Sequence, residues 1–192
     1  MKRKTALKHL AVFGALAASA SSVYEFIRLN RKYDDKYLVS RKLLIAELCE
    51  CIIPKTDTPG AKDAQVEDFV LHAVSNILSK KEQNNFVDGL RELEQTCIVR
   101  YDNTFKNCTE QEKLSVLKKM GGNRDYLGKS FIEKVSRKIQ GRDFINILKS
   151  LTIIGYCTSR VGAEQGLAYV PIPVRFEACI PFLKDQKCWA TK

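Results

Sequence analysis

The sequence predicts an all-α protein, a bundle of about five or six helices with a long irregular C-terminal segment. Apolar residues recur at helical spacing along most of the chain. Glycine and proline number only 10 and 5 among 192 residues, too few for a turn-rich β-sandwich or a disordered chain. Beyond residue 161 the periodicity is lost, and glycine, proline and aromatic residues are interspersed.

The first two predicted helices flank a turn. Leu44, Leu48 and Ile52 share one side of a helix over residues 38–53, which Pro54 ends because proline disfavours helical geometry in the residue before it. Residues 55–61 have the composition of a turn. The apolar positions between residues 66 and 78 then predict a second helix.

Capping boxes mark where the next two helices begin. Ser79 with Glu82, and Thr109 with Glu112, have the spacing in which a hydroxyl and a carboxylate satisfy the first backbone N–H groups of a helix. The pair at residues 121–122, Gly-Gly, ends the second of these helices. Two further helices are predicted over residues 131–139 and 144–156.

The first twenty residues predict an export signal. Four basic residues precede an uncharged run over residues 10–20 that ends in Ala-Ser-Ala, as in a secretory signal peptide. The uncharged stretch of residues 9–24 would reach only about 24 Å as a helix, short of a hydrocarbon core of about 30 Å. We therefore expect a cleaved signal over 1–20, a polar connector over 21–37 and one helical domain over 38–192. An uncleaved anchor is the alternative.

The signal also resembles the twin-arginine pattern R-R-x-F-L-K. The residues that carry this resemblance are Arg3, Lys4, Leu7 and Lys8. Lysine replaces the second arginine and alanine the aromatic residue, so the general secretion route is the alternative. Of the net charge of +10, the signal contributes 4, and 10 minus 4 leaves +6 on the remainder. That surplus is spread along the chain, whereas nucleic-acid binding favours a concentrated basic stripe.

The sequence predicts no catalytic, cofactor-binding or metal site. His72 is the one histidine after residue 20, which leaves too little for a serine triad or a clustered zinc site. Glycine-rich phosphate loops and C-x-x-C pairs are missing from the sequence. The glutamates of the predicted helices are expected to be solvated charges on helix faces, namely Glu47, Glu50, Glu92 and Glu94.

The seven cysteines predict disulfides if the chain is exported. Cys97 and Cys108 flank a polar loop between two predicted helices, which makes them the preferred pair. A redox-active pair of thiols is the functional alternative, and the odd count leaves at least one cysteine outside any internal disulfide.

Two strings about a hundred residues apart resemble a known family. The first is I-I-P-K-T-D-T-P-G-A over residues 52–61, and the second is G-Y-C-T-S over residues 155–159. Both resemble the gluconate 2-dehydrogenase subunit 3 family, and the resemblance covers about residues 38–182. The motif positions are Ile53, Pro54, Thr56, Asp57, Pro59, Gly60, Gly155, Tyr156, Thr158 and Ser159.

The resemblance implies that this chain has a non-catalytic role. Members of that family are small exported subunits that accompany a large FAD-dependent dehydrogenase of the glucose-methanol-choline type. The large subunit oxidises a sugar or sugar acid, and a cytochrome c subunit, where present, passes electrons to the membrane. The resemblance therefore implies a periplasmic accessory subunit, with FAD in its partner and no catalytic residues of its own. Membrane association is then indirect or through the N-terminal segment.

The aromatic residues of the C-terminal segment are the predicted partner contact. They are Tyr169, Phe176, Phe182 and Trp189. Aromatic side chains commonly anchor protein interfaces, although the same residues could instead cover the core of their own chain. The rival to the dehydrogenase hypothesis is a membrane-tethered helical interaction protein without a dehydrogenase partner.

Overall fold

A computed structural model describes residues 23–24, 27–121, 140–172, 181, 184 and 186–190, and in these residues the protein is helical without a β-strand. The all-α prediction is confirmed. The helices are α1 (Asp35–Ser40), α2 (Lys42–Ile52), α3 (Val66–Asn76), α4 (Lys80–Tyr101), α5 (Glu110–Gly121) and α6 (Phe144–Thr158). A 3-10 helix (Phe105–Asn107) lies between α4 and α5, and a π-helical turn (Gly162–Gly166) follows α6. The predicted signal, the predicted helix over 131–139, Phe176 and Phe182 lie outside the described residues.

Helix α6 forms the centre of the bundle. It contacts α2, α3, α4 and α5, as well as the π-helical turn. Its single charged residue, Lys149, is exposed, and its buried side chains form one core cluster with those of its neighbours. Burial of one apolar side chain contributes about 1.5–3 kcal/mol to the free energy of unfolding, so the buried residues of α6 make a large contribution to stability.

Close packing of α4 on α6 depends on a glycine. Gly89 faces Phe144, and a Cβ at this position would overlap with the Cβ and ring of that residue. One turn earlier, Phe86 packs edge-on against the same ring, with 5.2 Å between the ring centroids. Both aromatic residues are buried, and the small residue between the helices lets their backbones approach.

Two helix starts and one helix end have the capping interactions and the proline that the sequence predicts. Ser79 caps α4, its hydroxyl accepting a hydrogen bond from the N–H of Glu82, and Thr109 makes the reciprocal pair with Glu112 at the start of α5. Helix α2 ends at Ile52, two residues before Pro54. No helix within the described residues combines the length and the apolar character needed to cross a bilayer.

The described part of the predicted polar connector packs on the bundle, since residues 27–30 are helical and Leu29 is buried. The single helix predicted over 38–53 is two helices, α1, which begins at Asp35, and α2, with Arg41 between them. The Asn84 amide of α4 donates to the backbone carbonyls of Leu29 and Arg31, at 3.4 and 2.9 Å. Residues 27–41, called the N-terminal arm below, therefore lie along α4.

Candidate partner-binding surface

The loop between α2 and α3, residues 53–65, is called the motif loop because it contains most of the first string. Glu50, in the last turn of α2, fixes it at two points. Its carboxylate accepts hydrogen bonds from the backbone N–H of Lys55 and of Lys62, both at 2.9 Å. A charged acceptor makes shorter and stronger bonds to backbone donors than a neutral one does. Glu50 therefore holds the loop against the end of α2.

Gly60 leaves room for this carboxylate. A Cβ at Gly60 would lie 2.5 and 2.7 Å from the two carboxylate oxygens of Glu50, closer than side chains can approach. The Gly60 N–H donates to Asp63 at 3.2 Å, and the Nζ of Lys55 lies 3.1 Å from the same carboxylate. The Lys55 ammonium and the Gly60 N–H together hold the pKa of Asp63 below its usual value. The motif glycine is thus a steric requirement of the loop.

Tyr156 joins the two strings that lie a hundred residues apart in sequence. It is buried in the last turns of α6, and its hydroxyl donates to the carbonyl of Pro59 at 2.7 Å. Its neighbour Gly155 lies against Phe69, where a Cβ would come within 2.7 Å of the ring. Both strings therefore contribute to one packed unit at this end of the bundle, which we call the Tyr156 end.

The chain folds back on Tyr156 after α6. Ser159 accepts the N–H of Gly162 at 2.9 Å and donates its own hydroxyl to the Tyr156 carbonyl at 2.7 Å. Thr158 donates to the Ile154 carbonyl one turn back. Gly166 packs on the tyrosine ring, so close that a Cβ would lie 2.7 Å from the hydroxyl. The residues of the second string thus form the end of α6 and the tight turn that follows it.

Several exposed apolar side chains lie near this packed unit along the chain. Ile153 and Ile154 lie within a turn of Tyr156, and each is about half exposed. Ala168, two residues after the π-helical turn, forms an isolated parallel bridge with Trp189. The exposed large apolar residues of these segments are Ile153, Ile154, Tyr169, Val170, Ile172 and Trp189. Exposed large apolar side chains are candidates for contact with a partner.

A comparison with protein-family models matches residues 40–174 to gluconate 2-dehydrogenase subunit 3, which is more than half of the chain. The chain belongs to the gluconate 2-dehydrogenase subunit 3 family. Searches of curated proteins and of solved structures gave no match. The matched range contains both strings, but the first part of the N-terminal arm and Trp189 lie outside it.

The described residues of this family member include no group of three or more His, Cys, Asp or Glu side chains that could hold a metal ion. His72 is exposed on α3 and lies 3.2 Å from the Asn76 amide, one turn along the same helix. Of the predicted motif positions, Pro54, Thr56 and Asp57 are exposed, whereas Gly60, Gly155 and Tyr156 are buried. The buried positions serve packing and the exposed ones remain free for a contact.

Three glutamates differ from the expected solvated charges, and one of them, Glu94, pairs with Arg41 and accepts the Tyr37 hydroxyl. Glu50 binds the motif loop, and Glu47 bridges Lys62 and Lys113 at 2.8 and 3.5 Å. Burial opposes ionisation of Glu47, but the two lysines outweigh it and lower its pKa. Helical spacing alone did not reveal this role, because the partners come from a loop and from α5. Glu50 could have been found from its place one turn before Pro54, which ends the helix.

The predicted disulfide pair consists of two buried free thiols in this structure. Cys97 lies in α4 and Cys108 follows the 3-10 helix. The bond between them therefore stays a prediction.

Proposed function

We propose that this chain is the accessory, non-catalytic subunit of a periplasmic FAD-dependent dehydrogenase complex of the glucose-methanol-choline type. Its partner is the large subunit, which carries FAD and oxidises a sugar or sugar acid. A cytochrome c subunit is a further expected member of the complex. Membership of the gluconate 2-dehydrogenase subunit 3 family is the observation that supports this proposal.

The Tyr156 end is the proposed contact with the large subunit. The partly buried hydrogen bond from Tyr156 to Pro59 joins the motif loop to the end of α6, which carries exposed apolar residues. Rigid apolar and aromatic anchors commonly dominate protein interfaces because little conformational entropy is lost when they are buried. Ile154 and Trp189, each about half exposed, supply such anchors.

The proposal includes a role in export. A signal on the small subunit would carry a folded, FAD-loaded partner that has none, which requires the twin-arginine route. Replacing Arg3 and Lys4 by glutamine tests this role. The expected result is that the flavoprotein remains in the cytoplasm; its unchanged export would leave the assembly role alone.

Co-purification tests the assembly itself. A C-terminally tagged chain, isolated from native membranes, is expected to bring a large subunit with flavin absorbance. Ile154→Asp should reduce the recovered flavin at least tenfold, because a buried unpaired carboxylate at an interface is strongly unfavourable. Val99→Asp, at an exposed position of α4, is the matched control and should leave recovery unchanged. Recovery of the unaltered chain without a flavoprotein would contradict the proposal.

One observation favours the rival, a membrane-tethered module without a dehydrogenase. Val23, Tyr24 and Ile27 are all more than half exposed just after the predicted apolar run. An apolar helix face beside such a run would suit a lipid surface. Mass spectrometry of the mature N-terminus distinguishes the two hypotheses, since tethering requires an intact Met1.

A further inference from the structure

We propose that the N-terminal arm is a strap with a hinge at Arg41. In the docked position, which is that of the structure, the arm lies along α4 and α1 is bent away from the axis of α2. In the released position, α1 and α2 join into one straight helix that directs the arm away from α4. The inference goes beyond the proposed function and does not depend on the identity of any partner.

The local sequence favours one continuous helix across this junction. Residues 35–52 contain neither glycine nor proline, the strongest signals for a break. Arg41, which precedes α2, makes no capping hydrogen bond with its side chain to the backbone of that helix. Leu38 and Ile45 are both fully buried and lie seven residues apart, so they would share one apolar face of a straight helix.

The break itself is confined to one residue. Arg41 has φ −99° and ψ 15°, whereas an α-helix has about −63° and −42°. Its N–H donates to the Leu38 carbonyl at 3.1 Å, three residues back, and the Ser40 hydroxyl donates to the Tyr37 carbonyl at 2.7 Å. In a continuous helix the Tyr37 carbonyl would instead accept the N–H of Arg41. Straightening therefore requires rotation at a single residue and an exchange of hydrogen bonds.

Contacts with α4 hold the junction bent. The Arg41 guanidinium lies 4.7 Å from the centroid of the Tyr37 ring, and its Nε lies 2.8 Å from the Glu94 carboxylate of α4. The Tyr37 hydroxyl donates to the same carboxylate, and the Arg91 guanidinium of α4 lies 4.6 Å from the ring centroid. Such cation–π contacts add to the ion pair. Glu94 thus fastens both α1 and the hinge residue to α4.

The rest of the arm sets the balance between the two positions. Asp88 pairs with Arg28 and Arg31 while all three side chains are partly exposed, and pairs of this kind contribute little and weaken in salt. Release would expose the buried side chain of Leu29, which favours the docked position. We therefore expect the docked strap to predominate and the released strap to be a minor state reached by local opening.

The arm directly follows the predicted signal, so its position controls how far the bundle can lie from that signal. Six residues, 21–26, separate the predicted signal from the docked arm, and they reach at most about 20 Å when fully extended. Release up to α1 lengthens this link to residues 21–34, which reach about 45–50 Å. A docked strap would hold the bundle beside the signal, and a released strap would let it move away.

The matched variants Arg41→Ala and Arg41→Gly test the hinge. Both remove the guanidinium from Glu94, but alanine favours a continuous helix and glycine disfavours it. In NMR spectra of the purified chain, Arg41→Ala should give helical Cα chemical shifts throughout residues 40–42. The Arg31 amide, which donates to the Ile27 carbonyl at 3.0 Å, should exchange with solvent at least tenfold faster than in the unaltered chain. In Arg41→Gly this exchange should be about fivefold slower than in Arg41→Ala, the ratio that the two helix propensities set.

Glu92→Ala, at an exposed position of α4, is the control and should change neither the chemical shifts nor the exchange. Equal exchange of the Arg31 amide in the alanine and glycine variants would overturn the hinge, because helix preference at residue 41 would then play no part. Faster exchange without helical shifts across residues 40–42 would also overturn it, since the arm would then fray without joining α2.

Discussion

The motif loop and the N-terminal arm are both fastened to the bundle, but by different interactions. The loop is held by a charged capping group, the hydroxyl of a buried tyrosine and glycines that permit close contact. The arm, which is mostly helical, buries Leu29 and Leu38 and forms ion pairs at the surface of α4. Asp88 pairs with Arg28 and Arg31 at 3.1 and 2.6 Å.

The arm continues this pattern along one face of α4. Arg91 pairs with Asp34 at 3.0 Å, and Glu94 pairs with Arg41 at 2.8 Å and accepts the Tyr37 hydroxyl at 2.5 Å. Burial, followed by Glu94, raises the pKa of Tyr37 to about 12, so this hydroxyl remains a donor at any ordinary pH. Partly exposed ion pairs depend on salt and tolerate shifts, whereas the loop's contacts demand one geometry.

The largest expected effect comes from Gly60→Ala in the motif loop. The new methyl would displace the Glu50 carboxylate and the Lys55 backbone, because its nearest neighbours lie at 2.5–2.8 Å. We expect the free energy of unfolding to fall by about 2–3 kcal/mol. Urea unfolding followed by circular dichroism measures it.

Gly121→Ala provides the control for that substitution. Among the residues that the structure describes, a Cβ at Gly121, the last residue of α5, meets only Ile145, at an ordinary van der Waals distance of 3.6 Å. Its effect should remain within about 0.5 kcal/mol. Equal losses in the two variants would show that the Gly60 effect is generic to glycine replacement and does not arise from crowding of Glu50.

The next effect is that of Tyr156→Phe. The variant keeps the ring but leaves the Pro59 carbonyl without its donor, which should cost about 1–1.5 kcal/mol. Tyr33→Phe is the matched control, because its hydroxyl contacts Asp35 in an exposed position at 3.2 Å. If stability in urea is equal in both variants, the Tyr156 hydroxyl does not fasten the loop.

The sequence predicted much of the region that apolar periodicity and capping control. The starts of α3, α4 and α6 follow from Val66, Ser79 and Phe144, whose local signals agree with their tertiary contacts. The predicted loop after Cys97 was wrong in its first part, because α4 continues to Tyr101. The two motif strings were also visible as strings. Their meeting through Tyr156 and Pro59 was not, because a hydrogen bond across 97 residues leaves no local pattern.

The position of the arm on α4 could not be predicted from the sequence in the same way. Many of its residues are polar or charged, and the acidic partners Asp88 and Glu94 lie fifty to sixty residues away on a helix face that looks solvated. Opposite charges on two segments do not specify a register without the buried side chains of Leu29 and Leu38. The family match begins only at residue 40, near the end of the arm.

Glu82 offers an intermediate case, an ion pair that is also partly buried. Burial alone would raise its pKa, but Arg142, at 2.6 Å, and Ser79 outweigh it and lower the pKa. A carboxylate with a lowered pKa stabilises the fold above its unfolded pKa, and the contribution is lost as the pH falls. Glu82→Gln should therefore be less stable by about 1 kcal/mol at pH 7.

The pH dependence identifies this effect. The difference between Glu82→Gln and the unaltered chain should shrink as the pH falls from about 5 towards 2, because both then carry a neutral side chain. Glu92→Gln, at an exposed position of α4, is the control and should show no such convergence. If the free energies of unfolding of Glu82→Gln and of the unaltered chain differ by a constant amount over this pH range, the Glu82 carboxylate does not stabilise the fold.

The smallest expected effect is that of Asp88→Asn in the arm. The amide keeps the shape but loses the charge that faces Arg28, Arg31 and Arg91, so the free energy of unfolding should fall by less than about 1 kcal/mol. Because the pairs are partly exposed, the loss should shrink further in 1 M salt. Tyr156→Phe should lose the same stability at both salt concentrations, since its bond is between neutral groups.

Trypsin separates release of the arm from global unfolding. Lys32 and Lys36 are exposed within the arm, and the substitution should increase cleavage there several-fold while the circular dichroism of the bundle stays constant. Asp57→Asn, at an exposed position in the motif loop, removes the same charge and should leave this cleavage unchanged. If Asp88→Asn instead destabilises the whole bundle without favouring cleavage in the arm, the arm is an integral layer of the core, and Leu29 outweighs the ion pairs in holding it.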